Sequence, residues 1–399
     1  MLNQKLSLKG IDIENRIVFQ PMEGCDCKTD GAPSELTVRK YMKFAKSRAG
    51  IIWFEANGVC PEGLTNTRQM MLTAKNADEF KKLINDIKNE ALHTNGFEPK
   101  LILQLTHSGR QSVRPITMYK NATYESCGRG GDIASDEYLD TLPYFYDRSA
   151  RLAEDVGFDG VDVKACHGYL LSEAFSAYTR EGKYGGSYEN RTKLYKDCFN
   201  ATKAAISSRM LLTARLGLCD MVAYPDGFGT DDKCNEALDE PLRLVSELDA
   251  SGLDILNITI GNPYYNPHIN RPYKKGGYIP PEQPEEGLRR FIRVSSAVKS
   301  QNPGLAVVIS GLSYYGADML GAAGRMIKDG VCDLAGFGRM ILAYPEFYRD
   351  HLSGNFDTKK LCLLCSKCTE LMRAKQVSGC AIHDEYYREL YKREVGNKK

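Results

Sequence analysis

Short apolar runs rich in β-branched residues recur along the chain, with amphipathic stretches between them. Strands are expected at eight such runs, residues 17–22, 51–56, 101–107, 160–165, 211–216, 253–260, 306–311 and 333–338. Helical periodicity occupies the intervals, including residues 77–92, 144–156, 195–207, 240–250, 286–299 and 317–328. Strands that alternate with helices form right-handed βαβ units and a parallel sheet. Eight repeats therefore predict an α/β fold, a closed (β/α)₈ TIM barrel.

Three segments depart from this alternation. Residues 2–14 predict a small hairpin that closes the bottom of the barrel. Residues 118–140 are polar and poor in periodicity, and residues 261–281 contain Asn-Pro, Pro-Tyr and Gly-Gly pairs. We expect both to be long loops that cover an active site, although a tolerated insertion has the same signature. A change in composition divides the chain into a barrel, 1–350, and a Cys-rich segment with a charged tail, 351–399.

The composition excludes several classes of function. The chain has 399 residues, 42% hydrophobic and 26% charged, as in globular proteins. Its net charge of +2 gives no argument for nucleic acid or an anionic membrane as a partner. No apolar run is long enough to cross a bilayer, and the first residues lack the apolar core of a signal peptide. We expect a cytoplasmic protein with a small-molecule substrate.

Three chemically active residues follow the fourth predicted strand. They are Lys164, His167 and Tyr169. The carboxyl ends of barrel strands are where active-site residues collect. The lysine and the imidazole can donate hydrogen bonds to an oxygen that gains charge, and the phenol can deliver a proton. A competing interpretation has the Lys164 stem on apolar surface and its ammonium in solvent.

Further polar residues and glycines lie at other strand ends. Gln104 and Arg215 suit a ring with amide-like edges that can carry negative charge. Gly311 and Gly338 allow the backbone to approach a phosphate, whose charge Arg339 offsets. Taken singly, each is more often a turn or a solvated loop residue. Their joint position on one rim favours a flavin mononucleotide (FMN) site.

Four of the thirteen cysteines cluster after the barrel. They are Cys362, Cys365, Cys368 and Cys380. Close spacing of thiolates in a reducing compartment favours a metal, either a [4Fe–4S] cluster or a structural Zn²⁺. Packing, or a redox role without metal, competes with both. The scattered cysteines are expected to be small buried hydrophobic residues.

Several motifs resemble the Old Yellow Enzyme family of FMN-dependent ene-reductases, and especially its branch with 2,4-dienoyl-CoA reductase and 2-enoate reductase. They are Asn15-Arg16-Ile17-Val18 with Pro21-Met22, Pro61-Glu62-Gly63, His107-Ser108-Gly109-Arg110, His167-Gly168-Tyr169-Leu170-Leu171, Tyr184-Gly185-Gly186-Ser187 with Asn190-Arg191, and Gly336-Phe337-Gly338-Arg339. The resemblance covers roughly residues 1–350 in family order. It implies an FMN barrel that reduces the C=C bond of an α,β-unsaturated carbonyl compound.

The resemblance also implies roles for individual residues. The implied FMN ligands and neighbours are Pro21, Met22, Glu23, Ala56, Gln104, Arg215, Gly311, Gly338 and Arg339. His167 and Lys164 would hold the carbonyl oxygen, and Tyr169 would protonate the α-carbon while N5 of reduced FMN gives hydride to the β-carbon. In the resembled branch a similar cysteine group binds [4Fe–4S]. Its second spacer usually has three residues, where this chain has Ser366 and Lys367.

Two positions depart from the family pattern. Lys164 stands where relatives have His, and Glu23 where many have Thr or Cys. A lysine is a flexible point charge, unlike the planar imidazole. A carboxylate beside the ring would disfavour an anionic reduced flavin. Glu23 either faces the ring or pairs with Lys164, which would leave Cys25 or Cys27 nearer the flavin.

The electron source and substrate stay open at this stage. Because no GxGxxG follows a strand, electrons are expected from NAD(P)H bound over the FMN or from a separate protein that feeds the cysteine cluster. Tyr264, Tyr265 and Tyr273, together with the tyrosines of Tyr144–Tyr146, are candidates to line a pocket for a steroid or bile-acid enone, an enoate or an enoyl thioester. The alternatives are another FMN barrel reaction, such as demethylation or disproportionation, and an iron–sulfur or zinc module that uses the barrel as a scaffold for redox sensing or electron transfer. A homo-oligomer is compatible with all of these.

Overall fold

Eight parallel strands close into a barrel in the computed structural model, which describes residues 1–273 and 278–396. The strands of the chain are β1 (Leu6–Leu8), β2 (Ile11–Ile13), β3 (Ile17–Phe19), β4 (Ile51–Gly58), β5 (Lys100–Thr106), β6 (Ile116–Thr117), β7 (Asp132–Ile133), β8 (Gly160–Val163), β9 (Leu211–Gly217), β10 (Ile255–Thr259), β11 (Ala306–Ile309) and β12 (Leu334–Phe337). The barrel order is β3-β4-β5-β8-β9-β10-β11-β12, and β12 pairs with β3. The predicted (β/α)₈ barrel is confirmed. Strand β3 ends before Pro21, which has no N–H for the ladder.

Helices cover the outside of the barrel. They are α1 (Glu35–Ala45), α2 (Ala77–Asn95), α3 (Ala122–Ser126), α4 (Asp136–Val156), α5 (Leu170–Phe175), α6 (Tyr188–Ala205), α7 (Asp239–Ala250), α8 (Pro267–Asn270), α9 (Pro284–Gln301), α10 (Met319–Lys328), α11 (Arg339–Ala343), α12 (Phe347–Leu352), α13 (Lys367–Arg373) and α14 (Glu385–Glu394). All six predicted helices are present. Two of them, α4 and α6, begin well before the predicted starts because Ser135 and Ser187 cap them.

The predicted hairpin at the start of the chain is confirmed. Strands β1 and β2 pair antiparallel, with Leu6 opposite Ile13. The turn between them uses two residues with positive φ, Lys9 at 50° and Gly10 at 78°. Leu6 packs against the apolar cluster formed by the inward side chains at the amino ends of the barrel strands, which includes Trp53. The hairpin thus covers the bottom of the barrel.

The prediction of an irregular loop over residues 118–140 is wrong, because this segment contains helical turns and a strand. It contains α3, the first turn of α4 and β7, which pairs in parallel with β6 just before the segment. A buried ion pair holds it in place, since Arg110 Nε donates to Glu173 Oε1 at 3.0 Å and Arg110 Nη2 donates to the Tyr119 carbonyl at 3.0 Å. These contacts join residues far apart in sequence, which is why local periodicity does not reveal them.

The segment after the barrel packs on α1. Leu371, Tyr387 and Leu390 form a small apolar cluster. The Asp384 carboxylate accepts from Lys43 at 2.8 Å and from Arg39 at 2.5 Å. Burial opposes ionisation of Asp384, but these two cations lower its pKa. The division of the chain at residue 350 stays a prediction.

Within residues 1–273 and 278–396, no helix combines the length and the apolar character that crossing a bilayer requires.

A buried carboxyl group after β9 makes stability depend on pH. Asp220 is 6% exposed, and its Oδ2 accepts from the Phe228 N–H at 3.0 Å. Burial raises its pKa from 3.8 to about 7. The folded protein therefore keeps a proton that the unfolded chain has lost, and stability falls as pH rises through this range.

We predict that the free energy of unfolding decreases between pH 4 and pH 7, with a contribution from Asp220 of up to about 4 kcal/mol. Asp220→Asn should flatten this part of the curve, because an amide oxygen still accepts from Phe228 and does not titrate. Urea unfolding at a series of pH values measures the effect, with exposed Asp232→Asn as the control. Parallel curves for Asp220→Asn and the wild type would contradict the assignment.

Candidate active site

A buried carboxylate organises the interior of the barrel. Asp162 in β8 is fully buried. Its Oδ2 accepts from Trp53 Nε1 at 2.9 Å and from Gln104 Nε2 at 2.7 Å, and its Oδ1 accepts from the Arg215 N–H at 2.6 Å. Because the Gln104 amide nitrogen donates to Asp162, the amide oxygen of Gln104 remains to accept from a ligand.

Strand register explains why these side chains meet. Ala56 is opposite Gln104, Gln104 is opposite Asp162, and Arg215 is opposite Asn257. The same level of the barrel also holds a buried pair, since Asn257 Nδ2 donates to Gln20 Oε1 at 2.9 Å. A polar layer therefore crosses the barrel near the carboxyl ends of its strands. Ala56, Gln104 and Arg215, all predicted from sequence, belong to it.

Two arginines place unpaired N–H groups in the interior. Arg215 Nε and Arg339 Nη1 are buried and have no hydrogen-bond partner among the described residues. A buried N–H group without a partner costs free energy, and an anionic ligand would satisfy it. An FMN site fits this donor set: Gln104 and Arg215 match the pyrimidine edge of a flavin, and Arg339 matches a phosphate.

The two glycines predicted to approach the cofactor, Gly311 and Gly338, have different surroundings. Gly311 has φ of 86°, a left-handed conformation that favours glycine. Gly338 precedes Arg339, and a Cβ atom built on it would stand 3.2 Å from Met22 Sδ. Met22 follows Pro21, and both are partly exposed. A side chain at position 338 would therefore displace Met22.

The chain turns sharply where the fourth barrel strand ends. Lys164 comes directly after β8, and His167 and Gly168 both have φ of 67°. A Cβ atom on Gly168 would stand 2.5 Å from Asn262 Nδ2, so glycine is required at this turn. Helix α5 then begins after Tyr169. The turn brings the three predicted catalytic side chains, Lys164, His167 and Tyr169, onto one side.

His167 is held in its neutral form. Its Nε2 lies 3.2 Å from Asn270 Nδ2 and 3.4 Å from Thr259 Oγ1. Burial lowers its pKa well below 6.5, and the positive charges of Arg215 and Lys164 lower it further. Because the amide nitrogen of Asn270 can only donate, Nε2 accepts and Nδ1 carries the proton. The imidazole therefore has an N–H to offer to a ligand.

Lys164 does not extend into solvent. It is 5% exposed, and its Nζ lies 3.8 Å from the centre of the Tyr169 ring. Burial lowers its pKa. The interpretation with a solvated ammonium group is wrong for this structure. The ammonium instead stacks on the phenol of the predicted acid.

Tyr169 contacts a second phenol. Its hydroxyl lies 3.0 Å from the Tyr264 hydroxyl, and Tyr169 itself is 3% exposed. Burial raises the pKa of both phenols, so both stay protonated at neutral pH. Tyr264 is only partly buried, and the Arg129 guanidinium lies 5.0 Å from the centre of its ring. Tyr264 thus connects Tyr169 with the surface.

Among the predicted pocket tyrosines, Tyr264 contacts the predicted catalytic residue Tyr169, whereas Tyr144 is exposed and Tyr146 is fully buried. Tyr265 is 43% exposed and packs on Tyr124, and Tyr273 packs on Tyr278. Part of the predicted loop, residues 274–277, lies outside the described residues.

Glu23 turns to a threonine and not to Lys164. Thr65 Oγ1 donates to Glu23 Oε1 at 2.9 Å, and no carboxylate of the described chain lies within ion-pair distance of Lys164. Burial raises the pKa of Tyr169, and the negative charge of Glu23 raises it further. Burial lowers the pKa of Lys164, and the charge of Glu23 opposes that decrease. The predicted Glu23–Lys164 pair is therefore wrong, although both residues face the same site. Cys25 and Cys27 are buried beside Glu23.

The four clustered cysteines are half-buried and affect one another. Burial raises the pKa of Cys362 to about 11, and nearby Cys368 and Cys380 raise it further. The positive charge of Arg339 acts on Cys362 in the opposite direction. Nevertheless, in the described part of the chain no three His, Cys, Asp or Glu side chains form a group that could hold a metal ion. The thiols are close enough to influence one another, but the described structure does not place three of them as ligands of one metal ion.

Sequence reasoning missed three residues that complete the site: Asp162, Asn270 and Arg271. A polar residue inside the apolar run of β8 was the signal for Asp162. Asn270 and Arg271 gave no signal, because the path of their loop depends on tertiary contacts.

Comparison with known proteins places this site in a family context. The model of the NADH:flavin oxidoreductase / NADH oxidase family matches residues 2–274. An NADH oxidase of Thermoanaerobacter brockii is 25% identical over 365 residues, 89% of this chain and 51% of that protein. An NADPH dehydrogenase of Bacillus licheniformis is 30% identical over 216 residues, 51% of this chain and 61% of that protein. The chain thus spans about half to three fifths of these two relatives.

Solved structures share the fold. A 2-naphthoyl-CoA reductase in complex with 2-naphthoyl-CoA has a TM-score of 0.80 at 17% identity, covering 97% of this chain and 57% of that one. Morphinone reductase in complex with tetrahydroNAD has a TM-score of 0.66 at 19% identity, covering 90% and 93%. Old Yellow Enzyme from Pichia has a TM-score of 0.65 at 18% identity, covering 91% and 90%.

We predict that Asp162→Asn weakens FMN binding by about tenfold or more, because the new amide N–H opposes a donor from Gln104, Trp53 or Arg215. Quenching of FMN fluorescence by the apoprotein measures the affinity. Asp159→Asn is the matched control, since Asp159 accepts from the Leu101 N–H at the other end of the same strand. Equal losses in the two variants would show a general loss of stability instead.

Proposed function

The chain belongs to the NADH:flavin oxidoreductase / NADH oxidase family, as its Old Yellow Enzyme motifs imply, and from this premise we propose that it is an FMN-dependent ene-reductase. Its substrate would be an α,β-unsaturated carbonyl compound. One observation carries the proposal. A buried lysine, a neutral imidazole and a protonated phenol share one strand end beside Gln104 and Arg215, the residues held by Asp162.

Lys164 and His167 would bind the substrate oxygen. The His167 Nδ1–H and the Lys164 ammonium would both donate to that oxygen, and Lys164 is nearly shielded from water. Hydrogen bonds in such an environment strengthen as negative charge develops on the oxygen, which lowers the barrier to an enolate-like transition state. Bound FMN, reduced by NAD(P)H, would supply the hydride for the β-carbon.

Tyr169 would protonate the α-carbon. A phenol whose pKa is raised by burial holds its proton until a strongly basic carbon is formed. Tyr264 would then return a proton to Tyr169, because its hydroxyl is 3.0 Å away and its ring reaches the surface. Burial and the charge of Glu23 raise the pKa of Tyr264, and the Arg129 guanidinium over its ring offsets part of that increase.

The surroundings of the site suit an activated substrate with a polar or anionic carbonyl group. The charges of Arg215, Lys164 and Arg271 all reach His167. An enone, an enoate and an enoyl thioester each place an electron-rich oxygen where these charges act. The phenols of Tyr169 and Tyr264, with ring centres 6.2 Å apart, offer an apolar wall for a flat substrate.

The Cys-rich segment, residues 351–399, would bind a [4Fe–4S] cluster, with Zn²⁺ as the alternative. The mutual influence of the four cysteines supports a shared site. A separate electron-donor protein would then deliver electrons in addition to, or instead of, NAD(P)H. A cytoplasmic location, anaerobic use and a homo-oligomer belong to the same proposal.

We predict that Tyr169→Phe slows reoxidation of the reduced enzyme by an activated alkene by about 10²- to 10⁴-fold. Its reduction by NAD(P)H should stay unchanged, because the phenol acts only on the alkene. Tyr264→Phe should slow the same half-reaction less and alter its solvent isotope effect. Stopped-flow absorbance separates the two half-reactions.

The exposed neighbour Tyr265→Phe is the matched control and should behave as the wild type. Unchanged alkene reduction in Tyr169→Phe would remove Tyr169 from the proposed role. A wild-type enzyme that no enone, enoate or enoyl thioester reoxidises would refute the ene-reductase proposal itself.

We predict that anaerobically purified protein contains iron and acid-labile sulfide in about equal amounts, close to four of each per chain. Substitution of Cys365 by Ser should remove most of both, because a thiolate ligand is lost. Substitution of the exposed Cys234 is the control. Zinc without iron would favour the structural site, and neither metal would leave the cysteines without a metal role.

A further inference from the structure

Two guanidinium groups meet at the side of the barrel where β12 ends. Arg339 Nη2 donates to the Pro272 carbonyl at 3.2 Å, and Arg271 directly precedes Pro272. Burial lowers the pKa of Arg271 to about 10, and the charge of Arg339 is the next largest cause. The two positive charges are therefore neighbours, although Arg271 follows α8 and Arg339 begins α11.

These neighbours lack the acidic partners that buried arginines normally have. Arg271 Nε and Arg339 Nη1 are buried without hydrogen-bond partners, and neither arginine forms an ion pair within the described ranges. Arg290, for comparison, is also buried and pairs with Glu282 at 2.9 Å. Two like charges placed together out of water are costly unless an anion joins them. The pair is arranged as an anion site.

The Cys-rich segment contacts Arg271. Arg271 Nη1 donates to Thr369 Oγ1 in α13, next to Cys368. This bond leaves Nε of the same guanidinium as the unpaired donor. The hydrogen bond to Thr369 therefore holds the Arg271 side chain against the Cys-rich segment.

We propose that Arg271 and Arg339 together hold the dianionic phosphate monoester of the flavin cofactor, with Arg271 as a phosphate ligand that Thr369 positions. The proposal rests on the proposed FMN function and adds to it a ligand from the loop after β10. A phosphate supplies several acceptor oxygens at once, so it can satisfy unpaired donors of both arginines. A carboxylate of the substrate carries less charge and fewer acceptor oxygens than a phosphate dianion.

The proposal also links the two parts of the chain. A change in the cysteine segment that moves Thr369 would release Arg271 from its position. Cofactor affinity would then depend on the segment without any direct contact between a cysteine and FMN.

The experiment compares FMN with riboflavin, which has the same ring and no phosphate. Apoprotein is titrated with each flavin, and fluorescence quenching gives the two dissociation constants. In Arg271→Gln, FMN should bind about 10- to 100-fold more weakly, while riboflavin affinity changes by less than about twofold. Arg271→Lys should retain part of the wild-type affinity for FMN, because the positive charge remains. Thr369→Val should weaken FMN by about threefold.

Arg373→Gln is the matched control. Its charge also reaches Arg271, yet the side chain is exposed on α13. It should leave the FMN-to-riboflavin ratio unchanged. Inorganic phosphate should compete with FMN for the wild type and much less for Arg271→Gln.

Three results would overturn the proposal. Equal weakening of FMN and riboflavin in Arg271→Gln would show that Arg271 shapes the ring pocket. Unchanged FMN affinity together with a loss of bound iron would assign Arg271 to the cysteines. If neither the FMN affinity nor the bound iron changes in Arg271→Gln, Arg271 binds neither the phosphate nor the cysteine site. If Arg271→Gln loses affinity for FMN but not for riboflavin while the wild type reduces no activated alkene, the ene-reductase function fails and the Arg271 assignment stands.

Discussion

The hydrogen bonds of the buried Asp162 carboxylate position the other residues of the site. A fully buried carboxylate is tolerated only where N–H donors replace the lost water, and here three strands supply them: Trp53 from β4, Gln104 from β5 and the Arg215 backbone from β9. The same bonds orient Gln104. A requirement of stability, the satisfaction of one buried charge, thereby fixes the part of the barrel that would face a flavin.

A second constraint is the excess of positive charge around this carboxylate. Burial lowers the pKa of His167, and the charges of Arg215, Lys164 and Arg271 lower it further, so the imidazole serves as a hydrogen-bond donor and not as a fourth cation. Arg339 adds further positive charge at the next strand ends. Such a distribution is unfavourable in an empty interior and favourable around an anionic cofactor. The electrostatics of the chain and the proposed cofactor thus agree.

Much of this could be predicted from the sequence, for identifiable reasons. The eight strands were predictable because parallel strands are buried on both faces and read as apolar runs. Residues at their carboxyl ends, such as Gln104, Arg215 and Lys164, share one rim as a consequence. The contacts of Tyr264 and Arg271 were not predictable, since the loop after β10 follows tertiary contacts. Cysteine spacing likewise could not determine whether four thiols form a ligand set.

The most direct measurement is a crystal structure of the protein with FMN. We expect the pyrimidine edge of the flavin to lie against the Gln104 amide oxygen and Arg215, with the ring face toward His167 and Tyr169. It also predicts that Asp162 keeps its hydrogen bonds to Gln104 and Trp53. A flavin bound away from the Asp162 layer, or a Gln104 that turns its amide nitrogen to the ring, would contradict the central claim.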